Sequence, residues 1–171
     1  PLLFTQCGNT PPQRTQKAVG VHYTILCDPS PATLEQPSRG DLVTKRIVII
    51  GGGPGGYTAA LYGARSGLDT LILERLSAGG QMALTDQIDN YPGFEDGIDG
   101  FSLGEKMLRG AERFGAQTKM AEVRAVRLNG AVKEIKTAGG TLYGRTVILA
   151  TGATPRALGV AGEQELIGRG V

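Results

Sequence analysis

The run KRIVIIGGGPGGYTAALYGARSGLDTLILE, residues 45–74, constrains the fold more than any other part of the chain. KRIVII carries four consecutive apolar β-branched residues, the pattern of a strand buried on both faces in a parallel sheet. GGGPGG breaks that strand. YTAALYGARSG then has the small residues and spacing of a closely packed helix, and Gly67 stops it. TLILE supplies a second buried strand. The whole reads as one βαβ unit of about 30 residues, so the chain is expected to be α/β, with a Rossmann-like parallel sheet.

Between the first strand and the helix, Gly51, Gly53 and Gly56 satisfy G-x-G-x-x-G. In such a loop the first glycine permits a tight turn. The second lets a pyrophosphate approach the backbone, and the third lets helix and sheet close up. Gly52, Pro54 and Gly55 complete the loop, and the helix beyond it offers free N–H groups and a positive dipole end to phosphates. A P-loop is excluded, because Tyr57-Thr58 stands where Lys and Ser or Thr would be required. Glu74 closes the second strand, 21 residues after Gly53. A carboxylate there can accept from the hydroxyls of an adenosine ribose and repels a 2′-phosphate. On the residues alone FAD and NAD both fit and NADP is disfavoured. The competing reading of Glu74 is a solvated strand end. Arg75 is placed either to pair with Glu74 or to lie along a pyrophosphate.

Downstream, GFSLGEKMLRGAERFGA places Leu103, Met107, Ala111 and Phe114 on one helical face, with Ser102 as N-cap and Glu105 completing a capping box. EVRAVRL, AVKEIKT and TLY read as three short strands of an antiparallel meander. Asn129-Gly130 makes the first turn, a two-residue hairpin signal, and Gly139-Gly140 lies in the second. RTVILA is a further buried strand that runs into TGATP. Upstream, residues 1–42 hold six of the nine prolines and no helical periodicity; VGVHYTILC is their one strand-like run. The segment is read as a disordered or non-native extension, and the domain as starting at Val43. Cys7 and Cys27 form no CxxC and no metal set, and His22 is read as incidental. Eighteen basic and 16 acidic residues are interleaved, for a net charge of +2. That balance gives no support to nucleic-acid or membrane binding.

Four stretches together, GGGPGGYTAALYGARSG, LILERLSAGGQM, IDNYPGFEDGIDG and VILATGATPRALGVAGEQELIGRGV, resemble the low-molecular-weight thioredoxin reductases from about Thr44 to Val171. GGQ followed by NYPGF is the specific part of the match. The resemblance implies that the glycine loop holds FAD and that Glu74 binds its adenosine ribose. It further implies that Gln81 and Asn90 lie near the flavin ring. The backbone at Glu122 and Val123 would approach the adenine, and Ala150, Thr151 and Gly152 would pass beside the phosphates. Gly79 and Gly80 suit a close backbone approach, and the Gln81 amide can both donate and accept, as a flavin edge requires. Asn90 also reads as a plain turn-starter before Tyr91-Pro92.

In that family electrons pass from NADPH to FAD, to a CxxC disulfide and on to thioredoxin. The resemblance therefore divides the chain into the extension 1–42, the FAD-binding part 43–153, and the hinge and start of an NADPH-binding domain 154–171. The redox CxxC is expected just beyond Val171, so no catalytic residue is assigned within these 171 residues and the fragment alone is expected to be inactive. A cytoplasmic, homodimeric parent is implied, without metal. The flavoprotein of alkyl hydroperoxide reductase, a ferredoxin–NADP reductase of similar fold and a non-catalytic flavin-binding module are the alternatives.

Overall fold

A computed structural model describes the backbone of residues 15–18, 21–26, 44–153, 156–157 and 159–166. Its elements are β1 (Thr15–Ala18), β2 (Val21–Leu26), β3 (Thr44–Ile50), α1 (Pro54–Arg65), β4 (Thr70–Glu74), a 3-10 turn (Gly80–Leu84), α2 (Gly100–Arg113), β5 (Gln117–Met120), β6 (Val123–Arg127), β7 (Lys133–Thr137), β8 (Gly140–Leu149) and α3 (Glu163–Leu166). Their sheet has the order β1-β2-β8-β3-β4-β5, with β7 on β8 and β6 on β7. The central part is parallel: β8 with β3, β3 with β4 and β4 with β5. This is the expected Rossmann-like sheet with an antiparallel meander.

Alternation along the central strands sorts the core into two layers, because successive side chains point to opposite faces. Ile49, Ile72 and Ile148 pack with Tyr57, Ala60 and Ala64 of α1 and Ala111 of α2. Val48, Ile50, Leu71, Leu73 and Val147 point the other way, onto Ile135 of β7 with Val123, Leu128 and Leu142 around it. Helices cover one face and the meander covers the other.

TLY and RTVILA, expected as separate strands, are one. β8 runs unbroken through Gly144, pairing with β7 over Gly140–Gly144 and with β3 over Tyr143–Leu149. Gly144 sits where a side chain would meet Val48 Cγ2 at 2.7 Å, so its glycine allows sheet and meander to close up and does not end the strand. β5 was not expected. Its sequence, QTKM, is polar because it is an edge strand with little burial, yet it pairs with β4 from Leu71↔Gln117 to Glu74↔Met120. The N-cap of α2 is Asp99 and not Ser102: the Asp99 carboxylate accepts from the Ser102 N–H at 2.8 Å. Leu103 and Ala111 are buried as expected and Met107 packs on the core. Phe114, one residue past the helix, is 44 % exposed. The Asn129-Gly130 turn is longer than two residues, since β6 ends at Arg127 and β7 begins at Lys133. The Lys133 ammonium, buried, donates to the Gly130 carbonyl at 2.6 Å and closes this loop.

The reading of residues 1–42 as a disordered or non-native extension differs from the structure at one place. β1 and β2 form a hairpin, and β2 pairs antiparallel with β8 through Thr24↔Leu149, Ile25↔Ile148 and Leu26↔Val147. β7 leaves this side of β8 at Gly144. The open N–H and C=O groups beyond it form an edge that a β-prone run can join. Cys7 and Cys27 lie outside the described residues, and of His22 only the backbone is described.

Candidate cofactor site

β3 ends at Ile50 and the chain reverses at Gly51, whose φ of 107° favours glycine. The Gly51 N–H donates to the Leu73 carbonyl at 2.9 Å. A Cβ on Gly51 would stand 2.2 Å from the Ala150 carbonyl oxygen, and one on Gly56 would stand 1.9 Å from the Gly51 carbonyl oxygen. Those two glycines therefore allow three pieces of backbone to pack in contact. Gly53 is different. Among the described residues, a Cβ there would have only the Gly79 carbonyl oxygen near it, at 3.9 Å, and its φ of −79° is ordinary. Among the described residues nothing fills the space in front of Gly53, which suits a group from outside the chain. Pro54 occupies the first turn of α1, where its missing N–H costs nothing. That turn has no acidic residue and no side-chain cap, so its free N–H groups face the same space. The loop thus forms a cradle of backbone donors suited to a pyrophosphate.

Glu74 is 8 % exposed at the end of β4. Its Oε2 accepts from the Gly52 N–H at 2.6 Å, and Oε1 accepts from Arg75 N–H at 2.7 Å and Leu76 N–H at 3.1 Å. The carboxylate therefore locks the glycine loop to the strand beside it, and is no solvated strand end. No ion pair joins the Arg75 and Glu74 side chains among the described residues, and Arg75 is exposed. The Ala121 N–H donates to the Glu74 carbonyl at 2.7 Å. Glu122 and Val123, where β6 begins, follow directly in the chain, so this bond ties the start of β6 to the end of β4. A bulge between Val123 and Ala125 shifts the strand's register at that point.

The GGQ segment docks on the same loop. The Gly79 N–H donates to the Gly52 carbonyl at 2.8 Å, and Gly80 approaches Gly53 so that its Cβ would lie 3.7 Å from the Gly53 Cα. Gly79 has φ 101° and Gly80 58°. The Gln81 side-chain amide donates to the Ala153 carbonyl, joining this segment to the exit of β8. Ala150 is tied to the end of β3 by its N–H to the Ile50 carbonyl at 2.9 Å. Thr151 and Gly152 follow, exposed, with Gly152 at φ 76°. Gly51–Gly56, Glu74, Gly80, Gln81 and Ala150–Gly152 are thereby brought to one end of the parallel sheet. Asn90 stands apart from these bonds. It is exposed on an open groove of about 590 Å³ lined by Met82, Thr85, Ile88 and Tyr91. The groove continues along Asp89–Glu95.

Sequence reasoning missed the support beneath GGQ. A Cβ on Gly104 would stand 2.6 Å from the Ala78 carbonyl oxygen, and one on Gly100 would stand 1.8 Å from that of Met82. α2 therefore presses bare backbone against residues 78–85. Two glycines four apart on one helix are the signal that could have shown it. Also missed was Tyr57, 1 % exposed behind the loop. Among the described residues no cluster could hold a metal ion, and no helix is long and apolar enough to cross a membrane.

Residues 45–171 match the profile of the pyridine nucleotide-disulphide oxidoreductases. The chain is 51% identical over 126 residues to a thioredoxin reductase of Listeria innocua, covering 73% of this chain and 39% of that protein. It is 48% identical over 126 residues to a bifunctional thioredoxin reductase/thioredoxin of Mycobacterium leprae, with 73% of this chain and 28% of that one covered. The structure superposes on the thioredoxin reductase of Lactococcus lactis with a TM-score of 0.66 at 42% identity, over 74% of this chain and 41% of that chain. The chain thus spans well under half the length of these relatives. The match to the family profile covers the whole glycine loop, the GGQ segment and the strand exit that the structure assembles into one cradle, and the chain belongs to the pyridine nucleotide-disulphide oxidoreductase family.

Proposed function

We propose that this chain is the FAD-binding part of a thioredoxin-disulfide reductase. The observation that carries the reading is the open space before Gly53, bounded by loop N–H groups and backed by a buried carboxylate. In this reading Gly51, Gly52, Gly53, Pro54, Gly55 and Gly56 hold the pyrophosphate, and Glu74 accepts from the adenosine ribose with Arg75 beside it. The start of β6 at Val123 borders the adenine. Gly80, Gln81 and Asn90 border the flavin ring, and Ala150, Thr151 and Gly152 line the phosphates from the other side. The Gln81 amide, which donates to Ala153, also has a carbonyl that can accept from a flavin N–H. When bound, the flavin supplies two-electron transfer between NADPH and a disulfide. The chain's own residues bind and orient it, and no acid, base or nucleophile is assigned among them.

The whole protein is proposed to be cytoplasmic and homodimeric, and to pass electrons to thioredoxin through a CxxC pair and an NADPH domain. The similarity to thioredoxin reductases of two bacterial species over nearly three quarters of this chain supports that choice over the related flavoenzymes. The test is direct. The purified chain is refolded with FAD, freed of unbound flavin and its visible spectrum recorded. Retained flavin absorbance at one FAD per chain is expected. A colourless product would overturn the reading.

A further inference from the structure

We propose that Tyr57 is a positioning residue for the cofactor's ribose: its hydroxyl, held across Gly52 from Glu74, keeps that carboxylate in the orientation in which it accepts from the ribose diol. The inference rests on the FAD reading of the loop. Three observations carry it. First, Tyr57 lies on α1 with its ring in the core and is 1 % exposed, yet neither its Oη nor the buried Thr118 Oγ1 makes a full hydrogen bond to protein among the described residues. Phe would fill the same space without the cost of burying a hydroxyl. Second, Tyr57 Oη and Glu74 Oε2 face the same point: a Cβ on Gly52 would stand 2.8 Å from Oε2 and 3.0 Å from Oη. A side chain at residue 52 would collide with both the Glu74 carboxylate and the Tyr57 ring and hydroxyl. Third, the charged groups that bear on the phenol are Glu74 on β4 and Glu112 and Glu105 on α2. Glu112 is exposed and Glu105 bonds Arg109 at 3.4 Å, which leaves Glu74 as the buried acceptor.

Burial pushes the phenol up to about 12, the Thr118 hydroxyl acts against that rise, and the nearby carboxylates add to it. The hydroxyl thus keeps its proton at neutral pH and can only help an anion by donating. Among the described residues the hydroxyl has no protein partner and stands, like Oε2, against Gly52; turned onto Oε2 beside the Gly52 N–H when the ribose binds, it restricts rotation of the carboxylate about its last bond. The Arg75 and Leu76 N–H groups already hold Oε1.

The test uses the full chain stripped of flavin and titrated calorimetrically with ADP and with 2′,3′-dideoxy-ADP, which lacks the ribose diol. Tyr57→Phe is expected to weaken ADP binding about tenfold, as directly coupled groups do, and to leave dideoxy-ADP binding unchanged. Thr118→Val is expected to weaken ADP selectively as well, by less. Equal ADP affinity in Tyr57→Phe and the unmodified chain overturns the inference. So does an equal loss on both ligands, which a purely structural role would produce. Where Tyr57→Phe melts too low to titrate, Thr118→Val decides by the same comparison. An unmodified chain that binds neither FAD nor ADP removes the flavin reading and this inference together. Tight binding without the ligand dependence removes this inference alone.

Discussion

Replacing Gly53 by Ala separates the cradle's function from its architecture. The three glycines of the motif look alike in sequence, yet a methyl group meets three different surroundings. At Gly51 it would lie 2.2 Å and at Gly56 1.9 Å from backbone oxygen, whereas at Gly53 its nearest neighbour is 3.9 Å away. Gly53 also has φ −79° and ψ −175°, which alanine adopts freely. The change should tighten the unfolded chain's entropy in favour of folding by about 0.4–1 kcal/mol. Loss of a glycine N-cap opposes this by roughly 0.5–1 kcal/mol. The two nearly cancel, and the melting temperature should move by no more than about 2–4 °C. FAD is another matter. The methyl group enters the space assigned to the pyrophosphate, and overpacking there should cost about 1–3 kcal/mol. That corresponds to roughly 5- to 150-fold weaker binding. Flavin fluorescence titration and thermal melting read both quantities on one sample. Gly53→Ala with unchanged FAD affinity, or with a melting point lowered as far as that of Gly56→Ala, would refute the reasoning.

Glu74→Arg removes the acceptor of three N–H groups, that of Gly52 buried and those of Arg75 and Leu76 partly so. It should lower stability by about 3 kcal/mol and weaken FAD binding as well, both measured by urea unfolding with and without flavin; unchanged stability would show that the three bonds are dispensable. Gly104→Ala sets a methyl 2.6 Å from the Ala78 carbonyl oxygen and should cost about 1–3 kcal/mol, visible as a lower urea midpoint. Tyr57 is held protonated by burial, its phenol raised from 10.0 to about 12. A raised value means its contribution is complete below pH ~10 and is lost as the pH climbs through ~12; melting scans across that window should fall less steeply for Tyr57→Phe. Asp99 shows the opposite sign. The Ser102 hydroxyl and N–H hold its carboxyl below the ordinary 3.8, so its contribution is present above that value and disappears as the pH falls through the lowered one. Asp99→Asn keeps a capping side chain without the titration and should flatten the acid limb of melting temperature against pH.

The βαβ unit, the turn at Gly51 and the two-sided burial of β3 and β4 were legible from the chain alone. Each follows from local rules: continuous β-branched runs, a glycine at positive φ and a period of two along the strands. Glu74 was legible as a position at a strand end. Its bond to the glycine loop was not, because Gly52 reaches it only when β3 and β4 lie side by side; Arg75 and Leu76 are its own chain neighbours. β5 escaped notice because an edge strand needs no apolar pattern, and only the vacant side of β4 selects it. The single long β8 looked like two strands because a strand that serves a meander at one end and a parallel sheet at the other carries two burial patterns. The differing tasks of Gly51, Gly53 and Gly56 are tertiary as well. A glycine has no side chain to betray its neighbour, so whether it makes room for backbone or for a ligand is decided by what the rest of the chain puts in front of it.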